Sequence, residues 1–203
     1  QEKYASAQAT DLAPRIAKYH QEALQHSLTE KESQISNYQA GYTLYQNNQF
    51  NEALPFWENY LESAEPSKET EDIRYRVATI HQSQQNWLQA EQRYGEYATS
   101  SLDLPEENKA QATFWWAEVA FQQFQTADNM TDQLAALRML VAGKKTESEK
   151  LANKALGDFY QRWRDEPLVV DQWLSVQAVA QKSGALSAVE ALIDHPAFAL
   201  KNP

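Results

Sequence analysis

Residues 34–66 read QISNYQAGYTLYQNNQFNEALPFWENYLESAEP, and this segment carries the pattern from which the fold class follows. Apolar residues recur in it at three- and four-residue intervals, as they do on one face of an α-helix. Two small residues, Gly41 and Ala53, stand twelve positions apart, and the large residue Trp57 follows them. The polar pair that begins at Asn48 separates the two apolar runs. The segment therefore predicts two helices joined by a short turn.

A second copy of this pattern begins about 37 residues later. Ala78 and Ala90 are again twelve positions apart, and Ala90 follows Ala53 by 37 residues. In each copy a polar pair followed by an aromatic residue, Phe50 or Trp87, fills the turn. A fixed period of this length indicates a helical repeat array.

The two copies resemble the tetratricopeptide repeat, a helix–turn–helix unit of about 34 residues. The resemblance covers residues 34–125, which include a third first helix with Ala117 at the small position. In that family the small residues allow the two helices of a unit to approach closely, and the aromatic residues pack between helices. The aromatic residues that we expect in the core on this basis are Trp57, Tyr60, Tyr94 and Tyr97.

The resemblance also implies a candidate binding site, because the first helices of such repeats line a concave groove that receives peptides or partner helices. Tyrosine supplies contact area together with a polar group and therefore suits such a groove. The groove residues expected from the pattern are Ile35, Tyr38, Tyr42, Tyr45 and Gln46 on one helix, Tyr75, Thr79 and Gln82 on the next first helix, and Phe114, Glu118 and Phe121 on a third. The alternative is that this groove packs on another part of the same chain.

The whole chain shows helical periodicity, without sustained period-two alternation, and predicts about nine helices. Thr29 and Glu32 form the sequence signature of a capping box at the start of one of them. The predicted fold class is all-α: a helical-repeat solenoid in which tetratricopeptide-like helix pairs continue into a HEAT-like helical array.

A different resemblance begins near residue 124. Three segments carry it: ADNMTDQLAALRMLV at 127–141, DFYQRWRDEPLVVDQWLSVQA at 158–178 and HPAFALKNP at 195–203. Their order and spacing are similar to the C-terminal helical domain of the bacterial aminopeptidase N family of zinc peptidases. In that family the domain covers the active site, restricts access to it, supplies no metal ligand and continues with further helices after the KNP segment.

The two resemblances predict two domains, residues 1–125 and residues 126–203. Three explanations for this combination stay open. The chain is an engineered or spliced fusion, or a natural recombinant in which one superhelix extends another, or one of the two resemblances is a convergent pattern of helical repeats. Because the chain starts at Gln1 and not at Met, we also expect that residues upstream of it were removed or never included.

Several kinds of chemistry are excluded by residue content. The chain has no Cys, and no H-E-x-x-H motif occurs, so a thiolate site and a zinc site of the peptidase type are both absent from the sequence. The four histidines do not form a helical ligand pair, and we expect them to be solvated or capping residues: His20, His26, His81 and His195. We therefore predict no catalytic residue, no metal and no cofactor.

Net charge and hydropathy restrict the partners. The formal charge is -10 and the isoelectric point about 4.9, and most of the negative charge lies in the first 126 residues. Duplex nucleic acid requires clustered Lys and Arg, so it is not an expected partner. No segment approaches the ~18 apolar residues that a membrane-spanning helix needs, so we expect no membrane insertion.

The leading functional hypothesis is a non-catalytic helical repeat module that binds a protein or peptide in the tyrosine-lined groove. The alternative is an accessory C-terminal fragment of a zinc aminopeptidase, an enzyme of peptide N-terminal hydrolysis, without its catalytic domain. The sequence leaves the partner, the oligomeric state and the compartment open, with bacterial cytoplasm and periplasm both compatible.

Overall fold

The computed structural model of the chain describes residues 14–23, 29–142, 146–179, 190, 192–196 and 198, with the side chains of 146 and 147 excluded. These residues form nine helices of ten residues or more and no strand. The helices are α1 (residues 14–23), α2 (Glu30–Gln46), α3 (Phe50–Ser63), α4 (Lys68–Ser83), α5 (Trp87–Ala98), α6 (Glu106–Thr126), α7 (Met130–Ala142), α8 (Thr146–Trp163) and α9 (Pro167–Val179). The prediction of an all-α helical repeat fold is confirmed.

Helix α2 begins with the capping box that the sequence predicts. The Thr29 hydroxyl accepts a hydrogen bond from the Glu32 backbone N–H at 3.3 Å, and the Glu32 carboxylate accepts one from the Thr29 N–H at 2.9 Å. These bonds satisfy two backbone donors that have no partner inside the helix. Hydrogen bonds from Thr29 to the ionised carboxylate lower the pKa of Glu32.

Two turns of the same geometry end α2 and α4. Asn48 and Gln85, 37 residues apart, both have positive φ, at 59° and 61°. In each turn the next N–H reaches back to a carbonyl of the last helical turn, Gln49 to Leu44 at 3.0 Å and Asn86 to His81 at 2.9 Å. This is the Schellman arrangement, which satisfies carbonyl groups at a helix end. The structural period therefore equals the sequence period.

The chain divides into two compact units. The first comprises Gln1–Asn86 and Thr99–Pro105, and the second comprises Trp87–Ala98 and Glu106–Pro203. Helix α5 thus belongs to the second unit, whereas α4, its partner in the predicted second repeat, belongs to the first. The domain boundary predicted at residues 125/126 stays a prediction.

The first unit is built around the aromatic side chain that the repeat pattern singles out. Trp57 is fully buried, and it shares a cluster with Leu61 of α3 and with three aliphatic residues of α4: Ile73, Val77 and Ile80. The space for its indole ring exists because Gly41 of α2 carries no side chain. Ala17 of α1, Leu44 and Ala53 form a second cluster.

The second unit has one larger core, to which α6, α7, α8 and α9 contribute. Its tryptophans are anchored by hydrogen bonds as well as by packing. The Trp163 indole N–H donates to the Gln133 side chain at 2.9 Å, and the Trp173 indole N–H donates to the Leu156 carbonyl at 3.0 Å. Tyr94 and Tyr97 of α5 are buried, as the repeat pattern predicts. In the part of the chain that the structure describes, no helix has the length and apolar character required to cross a bilayer.

The expectation that the histidines are solvated or capping residues is wrong for His81. The residue is 6% exposed, and its Nε2 atom lies 2.7 Å from the Glu58 carboxylate of α3. His20 bonds the Ser36 hydroxyl at 2.8 Å, and His195 contacts the rings of Tyr160 and Trp173. His26 lies outside the described residues.

Candidate interaction surface

Five of the predicted groove residues form one stripe along α2, because they recur at the three- and four-residue spacing of a helix face. Near the middle of the stripe the rings of Tyr38 and Tyr42 stack, with centroids 6.0 Å apart and planes 15° apart. Tyr42 is 41% exposed, and the flanking side chains of Ile35 and Gln46 are also exposed. The stripe therefore presents aromatic surface to solvent.

The rings of Tyr38 and Tyr45 in this stripe pack against aromatic residues of α3. Tyr38 is half-buried and lies 5.5 Å from the ring of Tyr60 at a tilt of 58°. Tyr45 is half-buried as well, with ring centroids 4.9 Å from both Phe50 and Trp57. Rings held in this way lose little conformational entropy when a ligand binds to them.

Helix α4 adds a charged pair beside these rings. The Arg76 guanidinium carbon lies 4.9 Å from the centroid of Tyr45, within the range of a cation–π contact. Its Nε donates a hydrogen bond to the Asp72 carboxylate at 2.8 Å. This bond to Asp72 is the largest of the causes that raise the pKa of Arg76 above its ordinary value.

The surface formed by Tyr38, Tyr42, Tyr45, Asp72 and Arg76 is called the tyrosine face below. The pKa of the Tyr38 phenol is raised, first by burial and then by the neighbouring tyrosines Tyr42 and Tyr60. Asp72 and Glu69 raise the pKa further, because their negative charge opposes formation of a phenolate. The tyrosine face is therefore an aromatic surface that also carries the paired charges of Asp72 and Arg76.

The remaining predicted groove residues lie on α4 and α6. Tyr75 and Gln82 are half-buried, and Thr79 is exposed and donates its hydroxyl hydrogen to the Tyr75 carbonyl at 3.0 Å. Phe114 is exposed and Glu118 is half-buried, and both belong to the second unit. A groove that continues from α4 to α6 stays a prediction.

Phe121 is a correction to the predicted set. Its side chain is buried among the core residues of the second unit, where its ring packs on Phe124 at 6.3 Å. The ammonium of Lys154 lies 4.7 Å from its centroid. Phe121 is a packing residue because it falls on the face of α6 that contacts α7 and α8.

Asp72 and Arg76 are members of the site that were not predicted from the sequence. Their spacing of four residues was available as a signal, since side chains at i and i+4 are neighbours on a helix. What the spacing does not show is that the pair lies against α2, where the guanidinium meets the Tyr45 ring. That neighbour depends on how α2 and α4 both pack on α3.

No cluster of metal-ligating side chains occurs among the described residues. No group of three or more His, Asp or Glu side chains there is placed to hold a metal ion. Buried polar pairs do occur: His81 with Glu58, and Glu71 with Arg74 at 2.5 Å. These pairs connect neighbouring turns or neighbouring helices of the first unit.

The comparison with protein families identifies the C-terminal part of the chain. Residues 109–203 match the family described as a domain of unknown function (DUF3458_C) with ARM repeats. This segment makes up slightly less than half of the chain, and it contains α7, α8, α9 and most of α6.

Curated relatives point to the same part. The chain is 36% identical over 83 residues to aminopeptidase N of Haemophilus influenzae, and 42% identical over 80 residues to that of Caulobacter vibrioides. It is 34% identical over 82 residues to aminopeptidase N of Escherichia coli. The matches cover 39–40% of this chain but only 9% of each relative. The chain is therefore a helical repeat array joined to a segment similar to the C-terminal helical domain of aminopeptidase N.

Proposed function

We propose that this chain is a non-catalytic helical repeat module that binds a protein or peptide through the tyrosine face. The observation that carries the proposal is the stacked pair Tyr38 and Tyr42, of which Tyr42 is 41% exposed. Aromatic rings that are rigidly held and partly exposed are typical of residues that dominate binding energy at protein interfaces.

The composition of the face supports a protein ligand over a small molecule. The rings lie along the side of a helix and not in an enclosed cavity, whereas small-molecule sites are concave and bury most of their ligand. The polar groups on the face, the Tyr hydroxyls and Gln46, can bond a peptide backbone. Helical repeats present such surfaces to extended peptides or helices.

The test is capture of a partner, followed by measurement with purified components. The immobilised 203-residue chain is exposed to a bacterial extract, the retained protein is identified by mass spectrometry, and its affinity is measured by calorimetry with a Tyr42→Ala variant. We expect at least a tenfold loss of affinity. The matched control is Tyr19→Ala, since Tyr19 is 79% exposed on α1 of the same unit. Equal affinities for the two variants would contradict the proposal.

A second candidate function rests on the aminopeptidase N matches. The segment from residue 109 onwards would then act as an accessory helical region of a zinc aminopeptidase, a role in which the chain itself performs no hydrolysis. Alanyl-p-nitroanilide hydrolysis and elemental zinc analysis on the purified chain test the non-catalytic part of both proposals. We expect neither turnover nor stoichiometric zinc, and finding both together would overturn them.

A further inference from the structure

The tyrosine face already contains one bound cation, and that cation belongs to the chain itself. The Arg76 guanidinium lies over the Tyr45 ring at 4.9 Å, and the Asp72 carboxylate accepts its Nε hydrogen at 2.8 Å. A ring below and a carboxylate beside a guanidinium is a favourable combination, because the ring quadrupole and the anion both attract the positive charge.

Aromatic rings and a carboxylate also occur next to the Arg76 site, but there no cation of the described residues lies between them. Tyr38 and Tyr42 supply the rings, and Glu69 lies one turn before Asp72 on the same side of α4. Both Glu69 and Tyr42 are exposed. Within the residues that the structure describes, Glu69 forms no ion pair, whereas Asp72 is paired with Arg76. The effect of both carboxylates on the pKa of Tyr38 supports their closeness to the rings.

The charge of the surrounding chain favours a positively charged ligand. The formal net charge is -10, and Asp and Glu outnumber Lys and Arg among residues 1–86. A negative field of this kind increases the encounter rate with cationic partners and disfavours anionic ones.

We propose that the tyrosine face binds a segment of a partner protein through an Arg or Lys side chain, which lies against the Tyr42 ring with its charged end toward Glu69. This inference rests on the proposed function, because it names the chemistry of the ligand at the same site. The contacts of Arg76 with Tyr45 and Asp72 show that a guanidinium, a tyrosine ring and a carboxylate of α4 meet on this face.

The probe is a phage-displayed library of random 12-residue peptides, selected on the immobilised 203-residue chain. We expect Arg and Lys to be enriched at least twofold over the unselected library. The most enriched peptide is then labelled with fluorescein and titrated by fluorescence anisotropy. Replacing its basic residue by Gln should weaken binding at least threefold.

Two charge reversals on the protein provide the matched comparison. Glu69→Lys should lower the affinity for the labelled peptide at least tenfold. Glu62→Lys makes an equal change of net charge on the exposed side of α3 and should change that affinity less than twofold. Circular dichroism confirms that both variants keep their helices, and Glu69→Gln serves if the reversal unfolds the unit. Equal effects of the two reversals would overturn the inference.

The results of the peptide selection distinguish a failure of this inference from a failure of the proposed function. Selected peptides without basic enrichment, whose binding is lost in Tyr42→Ala, would leave the binding function in place and overturn the cationic ligand. A selection that yields no peptide dependent on Tyr42 would overturn both.

Discussion

Gly41 of α2 lies directly against the indole ring of Trp57 of α3. A Cβ atom at position 41 would stand 2.8 Å from the Trp57 Cγ atom and closer still to the pyrrole edge of the ring. Trp57 has no exposed surface and is enclosed by the residues of α4. The absence of a side chain at one residue thus determines where the largest core residue of the first unit fits.

This contact predicts that Gly41→Ala destabilises the protein. In an unconstrained helix the same change is favourable by about 1 kcal/mol. Here the methyl group must displace a buried indole, and such overpacking costs about 1–3 kcal/mol, so we expect a net loss of up to about 2 kcal/mol. Urea unfolding followed by circular dichroism measures the free energy of unfolding.

Gly157 of α8 is the matched control for this prediction. It is exposed, and apart from its chain neighbours and the adjacent helix backbone no heavy atom lies within 4 Å of the position that its Cβ would take. Gly157→Ala should therefore stabilise the second unit by up to about 1 kcal/mol. If both substitutions changed stability in the same direction, the close approach of Gly41 and Trp57 would not be the determining factor.

The contact between Gly41 and Trp57 also shows how much of the fold can be predicted from the sequence. The spacing of Gly41, Ala53 and Trp57 predicts a close helix pair, because only small residues permit that approach, and the pair α2 and α3 is present with these residues buried. The turn after each first helix was predictable too, since its polar pair and aromatic residue recur with the period of 37.

The buried polar pairs and the charged part of the site were not predictable in this way. The sequence places Glu71 in the first turn of α4, where the helix dipole favours an acid. It does not show that Glu71 is 2% exposed or that its carboxylate accepts hydrogen bonds from Arg74 and Ser100. Such pairs depend on which helices meet, and local periodicity contains no information on that.

The two positive-φ residues lead to a second stability prediction. Gln85 has φ of 61°, a region in which a side chain raises the energy by about 1–2 kcal/mol relative to right-handed conformations. Glycine has no such penalty but loses more entropy on folding. We expect Gln85→Gly to stabilise the protein by about 0.5–1 kcal/mol, measured as the shift of the urea midpoint.

Asn48 and Gln84 provide the comparison for this change. Asn48 occupies the equivalent turn, but Asn tolerates the left-handed region better, so Asn48→Gly should give a smaller gain. Gln84 has φ of -86° and ψ of 0°, where a side chain is not strained, and Gln84→Gly should lower stability. A gain from Gln84→Gly would show that the effect does not come from φ.

The buried histidine predicts a third effect. The Nε2 atom of His81 lies 2.7 Å from a carboxylate oxygen of Glu58, and the imidazole is almost fully buried. Glu58→Ala removes this partner and leaves a buried polar atom unsatisfied, which costs about 1–3 kcal/mol. Glu62→Ala, one turn later on α3 and exposed, should change the free energy of unfolding by less than about 0.5 kcal/mol. If both variants lost the same free energy of unfolding, the cause would be helix propensity and not the pair of His81 and Glu58.

The last prediction concerns Glu91 of α5, whose carboxylate accepts a hydrogen bond from the Trp116 indole N–H of α6. Burial raises the pKa of Glu91, and the bond from Trp116 opposes that shift only in part. A carboxyl group with a raised pKa in the folded state favours folding in its neutral form, so stability falls as pH rises through its titration range. At pH 7 the ionised carboxylate is therefore a destabilising group in the second unit.

Glu91→Gln should consequently raise the thermal midpoint at pH 7, because the amide oxygen still accepts the Trp116 hydrogen bond without a charge to desolvate. The gain should stay below about 1 kcal/mol, since the group is partly exposed and solvent screens it. It should shrink as pH falls toward 4, where the native carboxyl group becomes protonated. Asp158→Asn, at an exposed acid in the middle of α8, serves as the control and should leave the midpoint nearly unchanged at both pH values. If the thermal midpoints of Glu91→Gln and the parent chain differed by the same amount at pH 7 and pH 4, ionisation of Glu91 would not be the cause of the difference.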